Sequence, residues 1–170
     1  MTRLADPVEL PADVADFLAA YPPHPMVKMM AHSVATVRLF IEQAQAQFTS
    51  LALSPRHREL VILTVAACAD CEFAAVQHIP ISEAAGVTAD ERELIARGEF
   101  ERGAPDDHAL IRFTARVVAE PRVSDELFAE VRRFFSDREI VEVLQVCGYY
   151  WAFCRIATVL DVPITTVSDL

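Results

Sequence analysis

Apolar residues recur along most of this chain at alternating steps of three and four, the spacing of one helix face and not the every-second-residue rhythm of a strand. Val27, Met30, Val34, Val37, Ile41, Ala44 and Phe48 make one such stripe and predict a single helix from Met26 to Phe48. Ahead of it, Tyr21-Pro22-Pro23-His24-Pro25 cannot be helical and separates a short helix around Pro11 to Ala20. Ser54-Pro55 reads as an N-cap followed by proline at the first helical position, opening a helix to about Ala67. Its stretch Leu60 to Ala67 has almost no polar face, which makes this helix central. Asp70 is expected to cap the next helix, Cys71 to Ala85, with Gly86 as its stop. Thr88-Ala89-Asp90-Glu91 has the capping-box pattern and starts another that Gly98 ends. A polar stretch from Glu101 to Asp107 precedes three more: one through Leu110, Phe113 and Val117, one from Ser124 to Phe135, and one from Ser136 to about Leu160, with Pro121 and Pro163 as punctuation.

The pattern predicts an all-α bundle of about seven to eight helices. Composition agrees, since there are only four glycines and no Asn-Gly or Asp-Gly pair to turn a hairpin. Ser54-Pro55-Arg56-His57-Arg58-Glu59-Leu60-Val61 has an echo in Ser136-Asp137-Arg138-Glu139-Ile140-Val141, a weak internal duplication of a helical hairpin. At 170 residues and 53% hydrophobic, the chain is expected to be one domain, 1–170, with a sizeable core. Charged residues at 24% beside that hydrophobic content exclude disorder, and no apolar run reaches the length of a membrane span. The start, Met1 to Pro7, places an acid and a proline where an export signal carries its apolar stretch, so a cytoplasmic location is expected. Twenty-five acids against fifteen bases give a formal charge of −10 and no basic stripe for nucleic acid.

The informative residues are the polar ones inside the apolar centre, because burying a carboxylate or imidazole is costly unless it is paired. They are Glu59, Asp70, Glu72 and His78, beside Cys68 and Cys71. Cys71, Ala74, Ala75 and His78 share one helix face. Cys71 falls in the first turn, where free backbone N–H groups favour a thiolate. His78 stands about 10 Å further along the axis, a gap the size of a small ligand. Glu59 can pair with Arg56 or Arg58, and Glu72 can simply stabilise its helix terminus. Cys68-Ala69-Asp70-Cys71 is a Cys-x-x-Cys that can form a redox couple, although its apolar setting also suits cysteines acting as small core residues. Zinc held by Cys68, Cys71 and His78 with Cys147 or Cys154 suits the ligand types, but the spacing matches no ribbon or finger, and no metal is expected. In the aromatic run Cys147 to Phe153, Tyr149 or Trp151 is a candidate pocket wall, or else core or subunit contact.

Leu53 to Leu63, followed by Glu72-Phe73, Gln77-His78 and Ala84-Ala85-Gly86-Val87-Thr88, resembles the carboxymuconolactone decarboxylase and alkylhydroperoxidase-D-like superfamily. Met30-Ala31-His32-Ser33 and Arg138-Glu139-Ile140-Val141 are similar to elements of its longer, two-repeat members, so the likeness spans roughly Tyr21 to Leu160. The resemblance implies an all-helical fold, no cofactor, a small-molecule substrate and a homo-oligomer: dimer, trimer or hexamer. In the superfamily's peroxidase branch a glutamate is followed after twelve residues by Cys-x-x-Cys-x-x-x-His, and Glu59, Cys71 and His78 fall on three of those positions. The second cysteine position is Ala74. That thiol is the one served by the glutamate and histidine in the branch, so this chain lacks the inherited arrangement. The decarboxylase branch needs no thiol pair. For it, His78 transfers the proton, Glu59 orients and charges it, and Glu72 with the helix opening at Cys71 holds an anionic group. The expected function is therefore acid/base chemistry, decarboxylation or isomerisation, on a small lactone, carbonyl or carboxylate. The alternatives are a thiol peroxidase or disulfide reductase using Cys71 and Cys68, and an oligomeric binding scaffold without turnover.

Overall fold

The computed structural model describes residues 2–99 and 103–164. Glu101 and Arg102, at the start of the expected polar stretch, lie outside the described residues. Nine helices run in order among the described residues: α1 Ala12–Leu18, α2 Pro25–Met30, α3 Val37–Thr49, α4 Pro55–Cys68, α5 Glu72–Ala84, α6 Ala89–Ala96, α7 Pro105–Ala119, α8 Asp125–Val131 and α9 Asp137–Val159. No strand occurs among them.

The element count exceeds the expectation because the stripe from Met26 to Phe48 is two helices. Residues 31–36 form turns, with the Ser33 and Thr36 hydroxyls 2.6 Å apart and His32 Nε2 2.9 Å from the Ala5 carbonyl. Short hydroxyl side chains that bond locally compete with the helical ladder. Val34, placed on the stripe by its spacing, is 41% exposed as a result.

Helix α4 is the axis of the bundle and packs against α5, α6, α7 and α9. Nine successive residues, Arg58 to Ala66, are buried on it, as expected of a helix with no polar face. The one hydroxyl in that run, Thr64, donates to the Leu60 carbonyl at 2.7 Å and so brings no unpaired group into the core. Its N-terminus is capped by Ser54, which accepts from the His57 N–H. Arg56 then ties α4 to its neighbours, donating to the Gly86 carbonyl, to Glu91 at 2.6 Å and to Asp107 at 2.7 Å.

The join between α4 and α5 differs from the expectation, and the difference positions the site. Asp70 does not cap α5. It sits at φ +50°, the left-handed position just past α4, where Asp70 N–H bonds Ala67 O and Cys71 N–H bonds Ala66 O. This pair of bonds closes a helix C-terminus and satisfies carbonyls that would otherwise be orphaned. Cys71 is then the residue that opens α5. Pro80 lies inside α5, on its solvent side.

The two similar caps do different work. Glu139 closes a capping box with Ser136 at the surface, whereas the matching Glu59 is completely buried. Glu142, one turn further along α9, instead reaches the chain ahead of α4, accepting the Leu53 N–H at 2.8 Å.

Candidate functional site

Two groups of reactive side chains flank the α4–α5 pair. In the first, Glu59 and His78 meet: Glu59 Oε2 lies 2.6 Å from His78 Nδ1. They come from facing helices, and α4 and α5 must pack closely for the bond to form. A carboxylate only accepts, so the hydrogen sits on Nδ1 and Nε2 is the ring's other face. Glu59 Oε1 accepts from Arg58 Nε at 3.0 Å, which settles the alternatives for its cation: Arg58 is the partner and Arg56 is engaged elsewhere. All three groups are buried, Glu59 entirely. Phe48 of α3 covers them, with the Arg58 guanidinium 4.1 Å over its ring and the His78 ring stacked at 6.2 Å. Tyr150 meets His78 edge-on at 5.1 Å. Burial, then the nearby Glu59 charge, holds the Tyr150 phenol well above its ordinary titration range, so it remains a neutral hydroxyl.

The second group centres on Cys71. Its sulfur takes a hydrogen bond from Cys154 of α9, and the N–H groups of Ala74 and Phe73 face it from the opening of α5. Together with the positive charge of Arg155, and against the effect of burial, they bring its pKa down to about 7. Cys154 moves the other way, pushed up first by its bond to the Cys71 sulfur and then by burial, so one thiol of the pair carries charge and the other keeps its proton. Cys71 also lines a cavity of about 370 Å³ between α4, α5 and α6, with apolar walls from Leu63, Ala66, Ala75, Val76 and Ile79. Glu72, Asp70, Arg92 and Glu93 add charge to its lining.

The other candidates are distributed differently. Cys68 is exposed on the last turn of α4, is not among the groups around the Cys71 sulfur, and is pushed up by partial burial. All four cysteines are free thiols. Cys147 is buried beside Thr114, and burial raises it to about 12. Tyr149 packs on Phe40 at 4.2 Å and is not part of the Cys71 cavity, whereas Glu72 is. Trp151 lines a separate cavity of about 400 Å³ with Leu144, Cys147 and Val117. Neither His78 nor Glu59 lines the cavity at Cys71. Among the described residues the one group with donors near enough to share a metal is His57, Asp106 and Asp107, not the cysteine set considered above, and Arg56 already neutralises Asp107 there.

Comparison with known proteins bears on this arrangement. Residues 35–115 match the model of the Carboxymuconolactone decarboxylase family, a span that contains α3 to α6, Glu59, Cys71 and His78. Over that span, a little under half of its length, the chain is similar to the carboxymuconolactone decarboxylase family. Solved structures share its fold at low identity. An uncharacterized peroxidase-related protein from Ralstonia eutropha, described as an alkylhydroperoxidase core, superposes with a TM-score of 0.79 at 19% identity, covering 96% of this chain and 92% of that one. An uncharacterized peroxidase-related protein from a Silicibacter species gives 0.82 at 17%, covering 99% and 94%. A protein of unknown function from Agrobacterium tumefaciens gives 0.72 at 20%, covering 98% and 99%. No curated protein matches the chain in sequence.

Tyr150 and Phe48 are not singled out by the sequence, and Cys154 enters there only as an alternative zinc ligand beside Cys71, not as its thiol partner. Nothing local in the chain pairs Cys154 with Cys71.

Proposed function

We propose that this protein is a thiol-dependent reductase of small organic hydroperoxides, with Cys71 as the thiol that meets the substrate. One observation carries the reading. A cysteine with its pKa brought down to about 7 stands at the opening of a helix and in the wall of a mostly apolar cavity of about 370 Å³. A thiolate, not a thiol, is the nucleophile toward a peroxide oxygen, and N–H groups at a helix start favour that form. The cavity suits a small molecule with an apolar body. That two structural neighbours are described as peroxidase-related proteins supports the same chemistry. Four free thiols fit a reducing compartment such as the cytoplasm. Exposed Leu39, Val141 and Trp151 fit the association of several copies of one single-domain chain.

The acid/base reading has its own support in the 2.6 Å contact between His78 and Glu59. It ranks second because neither His78 nor Glu59 lines the cavity at Cys71. Under the leading reading the buried pair fixes α5 against α4 and so sets the helix opening at Cys71.

The test is consumption of cumene hydroperoxide by the purified protein with dithiothreitol as reductant. Cys71→Ser is expected to abolish turnover, and His78→Gln to reduce it. A Cys71→Ser protein that consumes hydroperoxide at the wild-type rate would overturn the thiol reading. An activity on lactones or β-keto acids that survives Cys71→Ser but is lost in His78→Gln would establish the second one.

A further inference from the structure

We propose that Cys154 of α9 is the resolving thiol for Cys71, so that the redox pair of this protein joins α5 to α9 and does not lie within either Cys-x-x-Cys position of the α4–α5 segment. The inference rests on the thiol chemistry proposed above and adds the second half of its cycle.

Four observations carry it. Cys71 and Cys154 lie near enough, across the packed α5 and α9 helices, for each to act on the other's protonation. The neighbouring side chains Phe73 and Phe153 meet with ring centroids 5.9 Å apart, so the two helices are held together beside the thiols themselves. The pair is also ordered by access. Both thiols are buried, Cys71 at 2% exposure and Cys154 at 0%, but only Cys71 borders the cavity, which places it on the substrate side and its partner behind it. Finally, the places where sequence motifs put a second thiol do not supply one: position 74 is a fully buried alanine, and Cys68 is exposed away from the groups that surround the Cys71 sulfur.

The chemistry closes without further groups. The Cys71 thiolate attacks one oxygen of a hydroperoxide, ROOH; the O–O bond breaks, Cys71 becomes a sulfenic acid, and the departing alkoxide takes a proton from solvent to leave as ROH. Cys154 then attacks the Cys71 sulfur. The S–O bond breaks, the hydroxyl leaves as water with the Cys154 proton, and an S–S bond forms. Oxidation of Cys71 removes the negative charge that held the proton on Cys154, so the second step is released by the first. An external dithiol attacks the Cys71 sulfur from the cavity, its second thiol completes the exchange, and both cysteines return reduced while the dithiol leaves as a disulfide. The sum is one hydroperoxide and one dithiol converted to one alcohol, one water and one disulfide.

The test is peptide mapping of the full-length wild-type chain after treatment with one equivalent of cumene hydroperoxide, without reductant, in the presence and absence of dimedone. The expected result is a single intramolecular Cys71–Cys154 link and little dimedone adduct. In Cys154→Ala, chosen because alanine leaves no unpaired hydroxyl in the core, the link is lost and dimedone labels Cys71; a thermal melt confirms that the variant is folded. Should Cys154→Ala melt with the native transition lost, the wild-type map alone decides. A Cys68–Cys71 link, or a persistent Cys71 sulfenic acid in wild type with no link, overturns the proposal and leaves the thiol reading standing. Unreacted Cys71 in wild type overturns both.

Discussion

Replacing Glu59 with glutamine tests the buried cluster that holds α4 against α5. The carboxylate accepts two hydrogen bonds, from Arg58 at 3.0 Å and from His78 at 2.6 Å, and has no exposed surface. A glutamine of the same shape keeps one acceptor oxygen but turns an N–H₂ toward the other donor, so at least one bond is lost. It also removes the negative charge from beside Arg58, which is only 6% exposed. Breaking a buried ion pair by removing one partner costs about 3–5 kcal/mol. Stacking of the guanidinium on Phe48 survives and offsets roughly 1 kcal/mol of exposure to the missing partner. The expected loss is therefore about 3 kcal/mol, or roughly 6–12 °C in Tm for a chain of this length. Urea unfolding at pH 7 measures it, with Arg58→Met and the double variant completing a cycle. The double variant should be more stable than the summed losses imply, by about 1–2 kcal/mol, because it no longer buries an unpaired guanidinium. A loss below about 1 kcal/mol in Glu59→Gln, within the range of ordinary substitutions, would refute the claim that this carboxylate neutralises a buried cation.

Three further outcomes are expected. Iodoacetamide should label Cys71 at a rate that rises with pH and levels off above about 7, whereas Cys68, raised by burial, should keep gaining rate at much higher pH; Cys154→Ala should move the Cys71 midpoint upward, as mass-resolved labelling would reveal. Arg56→Ala should destabilise the bundle at neutral pH. Burial opposes the charge of both carboxylates, yet Asp107 is held below its ordinary 3.8 by His57 and then Arg56, and Glu91 below its ordinary 4.5 by Arg56 and then Thr88, so the contribution that depends on Arg56 is complete above about 4.5 and fades as pH falls through the depressed native values; stability curves of wild type and variant should draw together below pH 3.8, and parallel curves would refute the linkage. Asp70→Gly should stabilise by about 0.5–1 kcal/mol in urea, because φ +50° strains any residue bearing a Cβ and glycine adopts it freely, a gain partly offset by the flexibility of the unfolded chain.

Helix identity and most helix ends were legible in the amino-acid order. Ser54, Thr88, Ser124 and Ser136 cap where their patterns place them, since a cap is a contact between residues three apart and depends on nothing distant. The burial of α4 was equally legible from its lack of a polar face. Where periodicity alone misled, a competing local bond was responsible: Ser33 and Thr36 break the stripe after Met30, and the spacing of apolar residues carries no record of hydroxyl bonding. Asp70 shows a related ambiguity, because an aspartate between two helices suits either the start of one or the left-handed end of the other, and the bonds of Asp70 and Cys71 back to α4 decide for the latter.

The contact of Glu59 with His78 lay partly within reach, because consecutive helices joined by a tight turn must pack side by side and their facing residues can be nominated by spacing. The contact of Cys71 with Cys154 did not. It joins distant parts of the chain and exists only because α5 and α9 are laid against one another through Phe73 and Phe153. Spacing rules reach about one helical turn. Which thiol faces which, and which of them borders open space, is set by the packing of helices remote in the chain, and no rule of local order contains it.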